Sequence, residues 1–159
     1  MRGMRINVSE TKKITIKIPA DQDGYILLKC PYCGNTFKIA ASDYVDDRNL
    51  HIYCPSCGLT SPSYITDDVA ELANTKICNY AEEIIYQSFK NIERKNNGPG
   101  IKFKIDKPKR EYEKPIRTVI DTLEIAEFNC CKKQAKIKPL LKFTGAYCPF
   151  CGVKNDEIE

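Results

Sequence analysis

The chain has 159 residues, of which 42% are hydrophobic and 29% charged, and its formal net charge at pH 7 is +4. No apolar run approaches the roughly 20 residues that a membrane-spanning helix needs. A mostly polar stretch follows Met1–Arg5, where a secretory signal would have its apolar core. The composition therefore predicts a cytoplasmic protein without a membrane role.

Short strands are predicted before and between the first cysteines. Apolar side chains alternate over residues 14–18, and a second apolar run at Tyr25–Leu28 follows a polar turn. Two more runs, Phe37–Ile39 and Leu50–Tyr53, are typical of strands on either side of a polar turn. This region is expected to form a small antiparallel sheet.

Two short cysteine motifs end these apolar runs, Cys-Pro-Tyr-Cys-Gly at residues 30–34 and Cys-Pro-Ser-Cys-Gly at residues 54–58. Each motif places two thiols about one turn apart, and its glycine lets backbone amides fold back toward sulfur, as in tetrahedral zinc sites. A reducing cytoplasm favours metal over disulfides for such pairs. We predict one zinc ion, with iron in a rubredoxin-like site as the alternative. Its ligands would be Cys30, Cys33, Cys54 and Cys57.

The two motifs and their spacing resemble the zinc ribbon of the transcription-factor-IIB type, and the resemblance covers roughly residues 25–60. That family consists of small three-stranded sheets found in transcription factors, polymerase subunits and bacterial accessory proteins. The resemblance implies a structural zinc ion and a place in a machine that handles nucleic acids.

One long helix is predicted over residues 66–97. The apolar period changes to 3.6 at Thr66, acidic residues occupy the first turn, and an Asn/Gly/Pro-rich stretch ends the pattern. Its apolar face, from Val69 to Ile92, is wider than one ribbon can cover and includes Cys78, which is expected to pack as a buried thiol. The excess width predicts that this face packs on both ribbons, on a protein partner or, by self-association, on a second copy of the chain.

The second half of the chain predicts another metal site. A strand over residues 101–105 and a charged, Pro-containing connector at Lys107–Pro115 lead to a third motif, Cys-Pro-Phe-Cys-Gly at residues 148–152. Its upstream partner is irregular, because Lys133 stands where a second cysteine would complete a pair with Cys130. We expect both adjacent thiolates to bind, although one could be a buried side chain while water or another group fills the fourth position. The predicted ligands are Cys130, Cys131, Cys148 and Cys151.

Catalytic patterns are missing from the sequence. It has one histidine, His51, and contains neither His-Glu-x-x-His nor a Gly-rich phosphate loop nor a nucleophile elbow. Four-thiolate zinc sites leave no position open for an activated water. The sequence therefore predicts two zinc ions in a protein that is not an enzyme.

The formal positive charge lies in residues 96–159, which hold 13 basic and 9 acidic side chains. Basic residues interleave there with Phe103, Tyr112 and Phe143, a pattern that favours contact with DNA or RNA. A solvated lysine-rich surface explains the same pattern, because lysine alone gives no base readout. The candidate nucleic-acid-binding residues are Lys102, Lys104, Lys107, Lys109, Arg110, Lys132, Lys133 and Lys136.

Together these observations predict a small metal-stabilised α+β fold, with two zinc ribbons, each a short antiparallel β-sheet, joined by one long amphipathic helix. The expected domains are residues 1–65, 66–97 and 98–159. The predicted function is a non-enzymatic zinc-binding interaction module, an accessory subunit of a nucleic-acid-handling complex. The alternative is a protein–protein adaptor or dimeric scaffold without nucleic-acid binding.

Overall fold

The structure, a computed structural model, describes residues 13–47, 49–95, 104–156 and 158. Contacts divide the chain into two units. The sheet unit consists of Ile18–Leu72 and Lys114–Glu159, and the helix unit consists of Met1–Lys17 and Ala73–Glu113. No helix among the described residues has the length and apolar character needed to cross a membrane.

Four antiparallel strands form the main sheet of the sheet unit, in the order β1-β2-β4-β3. The central pair joins the two halves of the chain, with Lys38 of β2 opposite Lys136 of β4. The strands predicted for two separate ribbons therefore lie in one sheet. Their bounds are Tyr25–Lys29 (β1), Thr36–Ala40 (β2), Glu124–Phe128 (β3) and Lys133–Ile137 (β4).

Short elements follow both halves of this sheet. Helix α1 (Ala41–Tyr44) follows β2, and helix α3 (Pro139–Thr144) follows β4. Strands β5 (Ala146–Tyr147) and β6 (Lys154–Asn155) pair with each other. An isolated bridge joins Tyr53 to Thr60.

Three of the predicted strands differ from the structure. The prediction at Leu50–Tyr53 reduces to the isolated bridge, and residues 14–18 are described without strand structure. Alternation of apolar residues is insufficient for a strand where no neighbouring strand offers hydrogen bonds. The strand predicted at 101–105 falls mostly outside the described residues, and its described part is irregular.

One face of the sheet carries the apolar core. Phe37, Ile39, Phe128 and Ile137 are fully buried on this face. The core continues into the thiols of Cys30, Cys54 and Cys148, which are also fully buried, and Tyr64 packs edge-on against Phe37 with ring centroids 5.5 Å apart. Three of the eight metal-ligand candidates are thus part of the same buried cluster as the sheet, and Cys57 and Cys131 pack against it.

The opposite face of the sheet buries charge. Lys38 and Lys136, neighbours across the β2–β4 pair, both place their ammonium groups on Asp21 Oδ2, at 3.0 and 2.9 Å. Asp121 lies 2.7 Å from Lys38, and Asp23 lies 2.6 Å from Lys136. Because each buried ammonium has two carboxylates, the charge is compensated despite its burial.

Helix α2 (Asp67–Lys95) confirms the predicted long helix, with Asp67 and Asp68 in its first turn. Its buried face differs from the predicted apolar face. Leu72 and the polar Asn79 are buried, and Asn79 exchanges hydrogen bonds with the backbone of Glu111 at 2.8 and 3.0 Å. Of the predicted face, Val69 is buried, whereas Ile77, Cys78, Ile84, Ile85, Phe89 and Ile92 are exposed.

Candidate metal centres

The first four cysteines converge as the sequence predicts. Sγ of Cys30 lies 3.7 Å from Sγ of Cys57, and Sγ of Cys33 lies 3.6 Å from Sγ of Cys54. All four sulfur atoms lie within 4.8 Å of one another. A tetrahedral zinc ion with Zn–S bonds of about 2.3 Å requires sulfur atoms about 3.8 Å apart. The four thiols therefore fit one tetrahedral metal ion.

Two tight turns present these thiols. Gly34 N–H donates to Cys30 C=O at 2.9 Å, and Gly58 N–H donates to Cys54 C=O at 2.8 Å. Both glycines have φ near +70°, a region that other residues rarely adopt. The glycine that closes each motif thus allows the turn that brings its two thiols together.

Tyr64 fixes the second of these turns to the core. Its hydroxyl lies 2.8 Å from the carbonyl oxygens of both Ile52 and Leu59, on either side of the Cys54–Cys57 pair. Burial raises the pKa of Tyr64 to about 12, so the hydroxyl stays protonated as a donor. No feature of the sequence pattern identified this tyrosine as part of the site.

The second cluster also converges, and both adjacent cysteines belong to it. Sγ of Cys131 lies 3.3 Å from Sγ of Cys148, and Sγ of Cys151 lies 3.3 Å from Sγ of Cys130. All four sulfur atoms again lie within 4.8 Å of one another. Four thiols are thus available for a second metal ion, and no fourth ligand from water is required.

A structural repeat explains the adjacent pair. Placing Lys136 on Lys38 aligns residues 123–138 with residues 25–40 without a gap, and Cys131 then falls on Cys33. The turns correspond, because Lys132 N–H donates to Phe128 C=O at 2.8 Å as Gly34 N–H does to Cys30 C=O. Lys132 even shares the positive φ of Gly34, 54° against 71°. The second half therefore keeps the backbone of a cysteine turn but has a different first ligand.

That first ligand has moved along the turn. Phe128 takes the place of Cys30 and is likewise fully buried. Cys130 takes the place of Tyr32, and both side chains are exposed. In the second site this thiol, from Cys130, comes from the exposed tip of the turn. In the first site the corresponding thiol, from Cys30, comes from the buried core.

The repeat continues through the last motifs, where Tyr53–Gly58 matches Tyr147–Gly152. The two segments exchange backbone hydrogen bonds, since the Tyr53 N–H donates to Pro149 and the Tyr147 N–H donates to Pro55, both at 2.9 Å. Each tyrosine ring also covers the glycine of the other segment. A Cβ on Gly152 would lie 2.7 Å from the ring of Tyr53, and one on Gly58 would lie 2.9 Å from that of Tyr147. The two metal centres are therefore packed directly against each other.

Protonation differs among the thiols of each cluster. Burial raises the pKa of Cys54 and of Cys148 far above the usual range for a thiol. Burial also opposes ionisation of Cys33, but the backbone N–H of Asn35 and neighbouring thiols outweigh it and lower its pKa. A metal ion must therefore displace protons from the buried thiols when it binds.

The other candidate residues lie outside the clusters. His51 is exposed and belongs to neither group of sulfur atoms. Cys78 is exposed on α2, whereas the sequence predicted a buried thiol, because the helix buries its other face.

The basic residues divide into exposed and paired groups. Lys133 lies 3.0 Å from Asp43 and 4.6 Å from the centroid of Phe150, and Lys136 is buried against Asp21 and Asp23. These two ammonium groups stabilise the sheet unit. Lys102 lies outside the described residues, whereas Lys104, Lys107, Lys109, Arg110 and Lys132 are exposed.

Comparison with known proteins returned no match, whether to a protein-family model, to a curated protein or to a solved structure. The two four-cysteine groups nevertheless fit a zinc-ribbon-like motif by their own geometry.

Proposed function

We propose that this protein is a non-enzymatic zinc-binding interaction module that serves as an accessory subunit of a nucleic-acid-handling complex. The convergence of two four-thiol groups, each with all its sulfur atoms within 4.8 Å of one another, carries the metal part of this proposal. Zinc bound by Cys30, Cys33, Cys54 and Cys57, and by Cys130, Cys131, Cys148 and Cys151, would cross-link turns and strands. With four thiolates on each ion, no position remains for a substrate water.

The helix unit supports the proposed interactions with other molecules. Lys104, Lys107, Lys109 and Arg110 are exposed together on one segment, and the ring of Tyr112 beside them is 77% exposed. Cationic side chains with an exposed aromatic ring suit the backbone and bases of a single-stranded nucleic acid. We therefore place the proposed nucleic-acid contact on residues 104–112.

The alternative, a protein–protein adaptor without nucleic-acid binding, is favoured by the exposed apolar face of α2. Ile77, Ile84, Ile85 and Phe89 are each about half exposed, an unusual arrangement for one helix of a monomer. A protein with an apolar groove would cover this face. Size measurements by light scattering would separate this partner from a second copy of the chain, because a dimer doubles the mass.

The metal proposal is tested by counting ions in the purified protein. Native mass spectrometry with elemental analysis should find two zinc ions per chain. A count of one or none, or iron in place of zinc, would contradict the proposal.

The nucleic-acid proposal is tested by charge reversal on the exposed segment. Lys109→Glu combined with Arg110→Glu should weaken binding to single-stranded DNA and RNA and reduce the slope of affinity against salt, because phosphate contacts release counterions. Lys17→Glu with Lys154→Glu, two exposed positions elsewhere, changes the net charge equally and should have a smaller effect. Equal affinities for all three proteins would favour the adaptor.

A further inference from the structure

Regular cysteine turns stabilise their thiolates with backbone N–H groups. The first thiol of a turn accepts hydrogen bonds from backbone N–H groups within the turn, as Cys148 does from Phe150 and Cys151. The last thiol accepts a hydrogen bond from the backbone N–H two residues further on, as Cys57 does from Leu59 and Cys131 does from Lys133. These hydrogen bonds hold sulfur in position and favour its charged form.

Cys130 receives a hydrogen bond from an amide side chain. Nδ2 of Asn155 lies 3.5 Å from Sγ of Cys130. The nearest neighbouring thiol, Sγ of Cys151, lies 3.3 Å from the same sulfur. The displaced cysteine stands at the tip of the turn, in the place of Tyr32, and the two backbone N–H groups that follow it, those of Cys131 and Lys132, donate to Phe128 C=O.

Asn155 is itself held in position. Asn155 is buried and lies in β6 opposite Ala146. Its Nδ2 also donates to Val153 C=O at 2.8 Å. The equivalent residue in the first half is Ser61, whose hydroxyl donates to Ser63 C=O at 2.8 Å and, within the part of the chain that the structure describes, makes no hydrogen bond to a thiol. The amide donor is thus present only in the half that has the displaced cysteine.

We propose that Asn155 is a positioning residue that makes the irregular Cys130–Cys131 half-site able to bind metal. Its carboxamide donates to the Cys130 thiolate, replaces the missing turn amides and orients sulfur toward Cys131, Cys148 and Cys151. This inference rests on the proposed zinc occupancy of the second cluster. It adds a residue that none of the cysteine motifs indicates.

The first experiment measures zinc affinity of Asn155→Ala by competition with a chromophoric chelator. Loss of a hydrogen bond to a metal ligand typically weakens binding 10- to 100-fold, and this loss should affect one of the two ions. Ser61→Ala, the matched change in the first half, should leave both affinities unchanged. Cobalt bound to Asn155→Ala should also show a shifted sulfur-to-metal charge-transfer band, because the Cys130 thiolate has lost its donor.

The second experiment asks whether Asn155 acts through Cys130. Phe128→Cys with Cys130→Tyr restores the ligand arrangement of the first half, in which the turn amides bind sulfur. In this background, Asn155→Ala should no longer weaken metal binding. A general structural role for Asn155 would weaken it equally in both backgrounds.

The outcomes separate the two proposals. Wild-type protein that binds fewer than two ions would overturn the proposed zinc occupancy. If the wild-type protein binds two ions and Asn155→Ala binds both with unchanged affinity, the role of Asn155 is overturned and the proposed zinc occupancy stands. Asn155→Asp extends the test to a variant of nearly identical shape. Because it replaces the donor with a negative charge, it should weaken metal binding at the second site further than Asn155→Ala does.

Discussion

The two metal centres share one backbone but differ in how their thiols are supplied. In the first half, Cys30 is fully buried in the core, and in the second half Phe128 fills that place while Cys130 joins the four-thiol cluster from the exposed tip. Each half still forms two strands, a tight turn, a short helix and a closing motif. The comparison teaches that the same turn can deliver a thiol to a four-cysteine cluster from two different positions.

The halves are also mutually dependent. Strands β2 and β4 pair at the centre of one sheet, and Tyr53 and Tyr147 each cover a glycine in the other half. A change in one metal centre should therefore affect the other, which makes the comparison testable.

Removal of one buried ligand is expected to have the largest effect. Cys54→Ser and Cys148→Ser should each lose one zinc ion and destabilise both halves, because structural zinc contributes about 10–16 kcal/mol in small domains and the sheet is shared. Thermal unfolding followed by circular dichroism should show one transition at lower temperature. Two separate transitions, with one half retaining its original midpoint, would refute the mutual dependence.

Asp21→Asn should have the next largest effect, because Asp21 pairs with one buried lysine from each half. Breaking this pair leaves Lys38 and Lys136 incompletely compensated and should cost about 3 kcal/mol of unfolding free energy. Asp23→Asn is the control, since its side chain is 60% exposed and pairs with Lys136 alone. Urea denaturation of the zinc-loaded proteins measures both, and equal losses would contradict the bridging role.

The pH dependence of this difference has a defined sign. Burial alone would raise the pKa of Asp21, but hydrogen bonds from Lys136, the Tyr25 backbone and Lys38 hold it well below its ordinary value. Because the pKa of Asp21 is lower in the folded state than in the unfolded state, where it is about 4, ionised Asp21 stabilises the folded protein at any pH above about 4. This stabilisation is lost as the pH falls toward the pKa of the folded state. The stability difference between wild type and Asp21→Asn should therefore be constant from pH 8 to pH 5.

Smaller effects should come from the glycines under the two tyrosine rings. Gly58→Ala and Gly152→Ala should each cost about 2–3 kcal/mol, because the added Cβ meets both a positive φ and an aromatic ring. Gly34→Ala isolates the backbone contribution, since nothing lies within 4 Å of its Cβ position, and should cost about 1 kcal/mol. Equal losses at all three glycines would show that the ring contacts are unimportant.

The smallest effect concerns the residue that closes the irregular turn. Lys132→Gly relieves a positive φ of 54° and should stabilise the second half by about 0.5–1 kcal/mol. The reciprocal change Gly34→Lys should destabilise the first half. Thermal midpoints of the zinc-loaded proteins measure both, and destabilisation by Lys132→Gly would indicate that the turns are not equivalent.

Much of the metal chemistry could be predicted from local sequence. The Cys-Pro-x-Cys-Gly motifs brought two thiols together without help from distant residues, because a glycine at positive φ closes each turn. The expectation that both Cys130 and Cys131 bind rests on the number of cysteines and on the lack of a nearby acid or base that an open, catalytic fourth position would need, and both thiols are found in the second cluster. Asn155 was missed because no motif of cysteine spacing includes an amide donor.

The sequence by itself determined the eight metal-ligand candidates, the long helix and the strands β1 and β2, since these depend on spacing and periodicity within a few residues. Only the tertiary structure decided that β2 and β4 join both halves in one sheet, that Lys38 and Lys136 are buried against Asp21, and that α2 buries Asn79 rather than its isoleucines. Strand pairing and ion pairing between distant residues depend on which chain segments meet in the fold. A local pattern of apolar and charged residues contains no information about that partner.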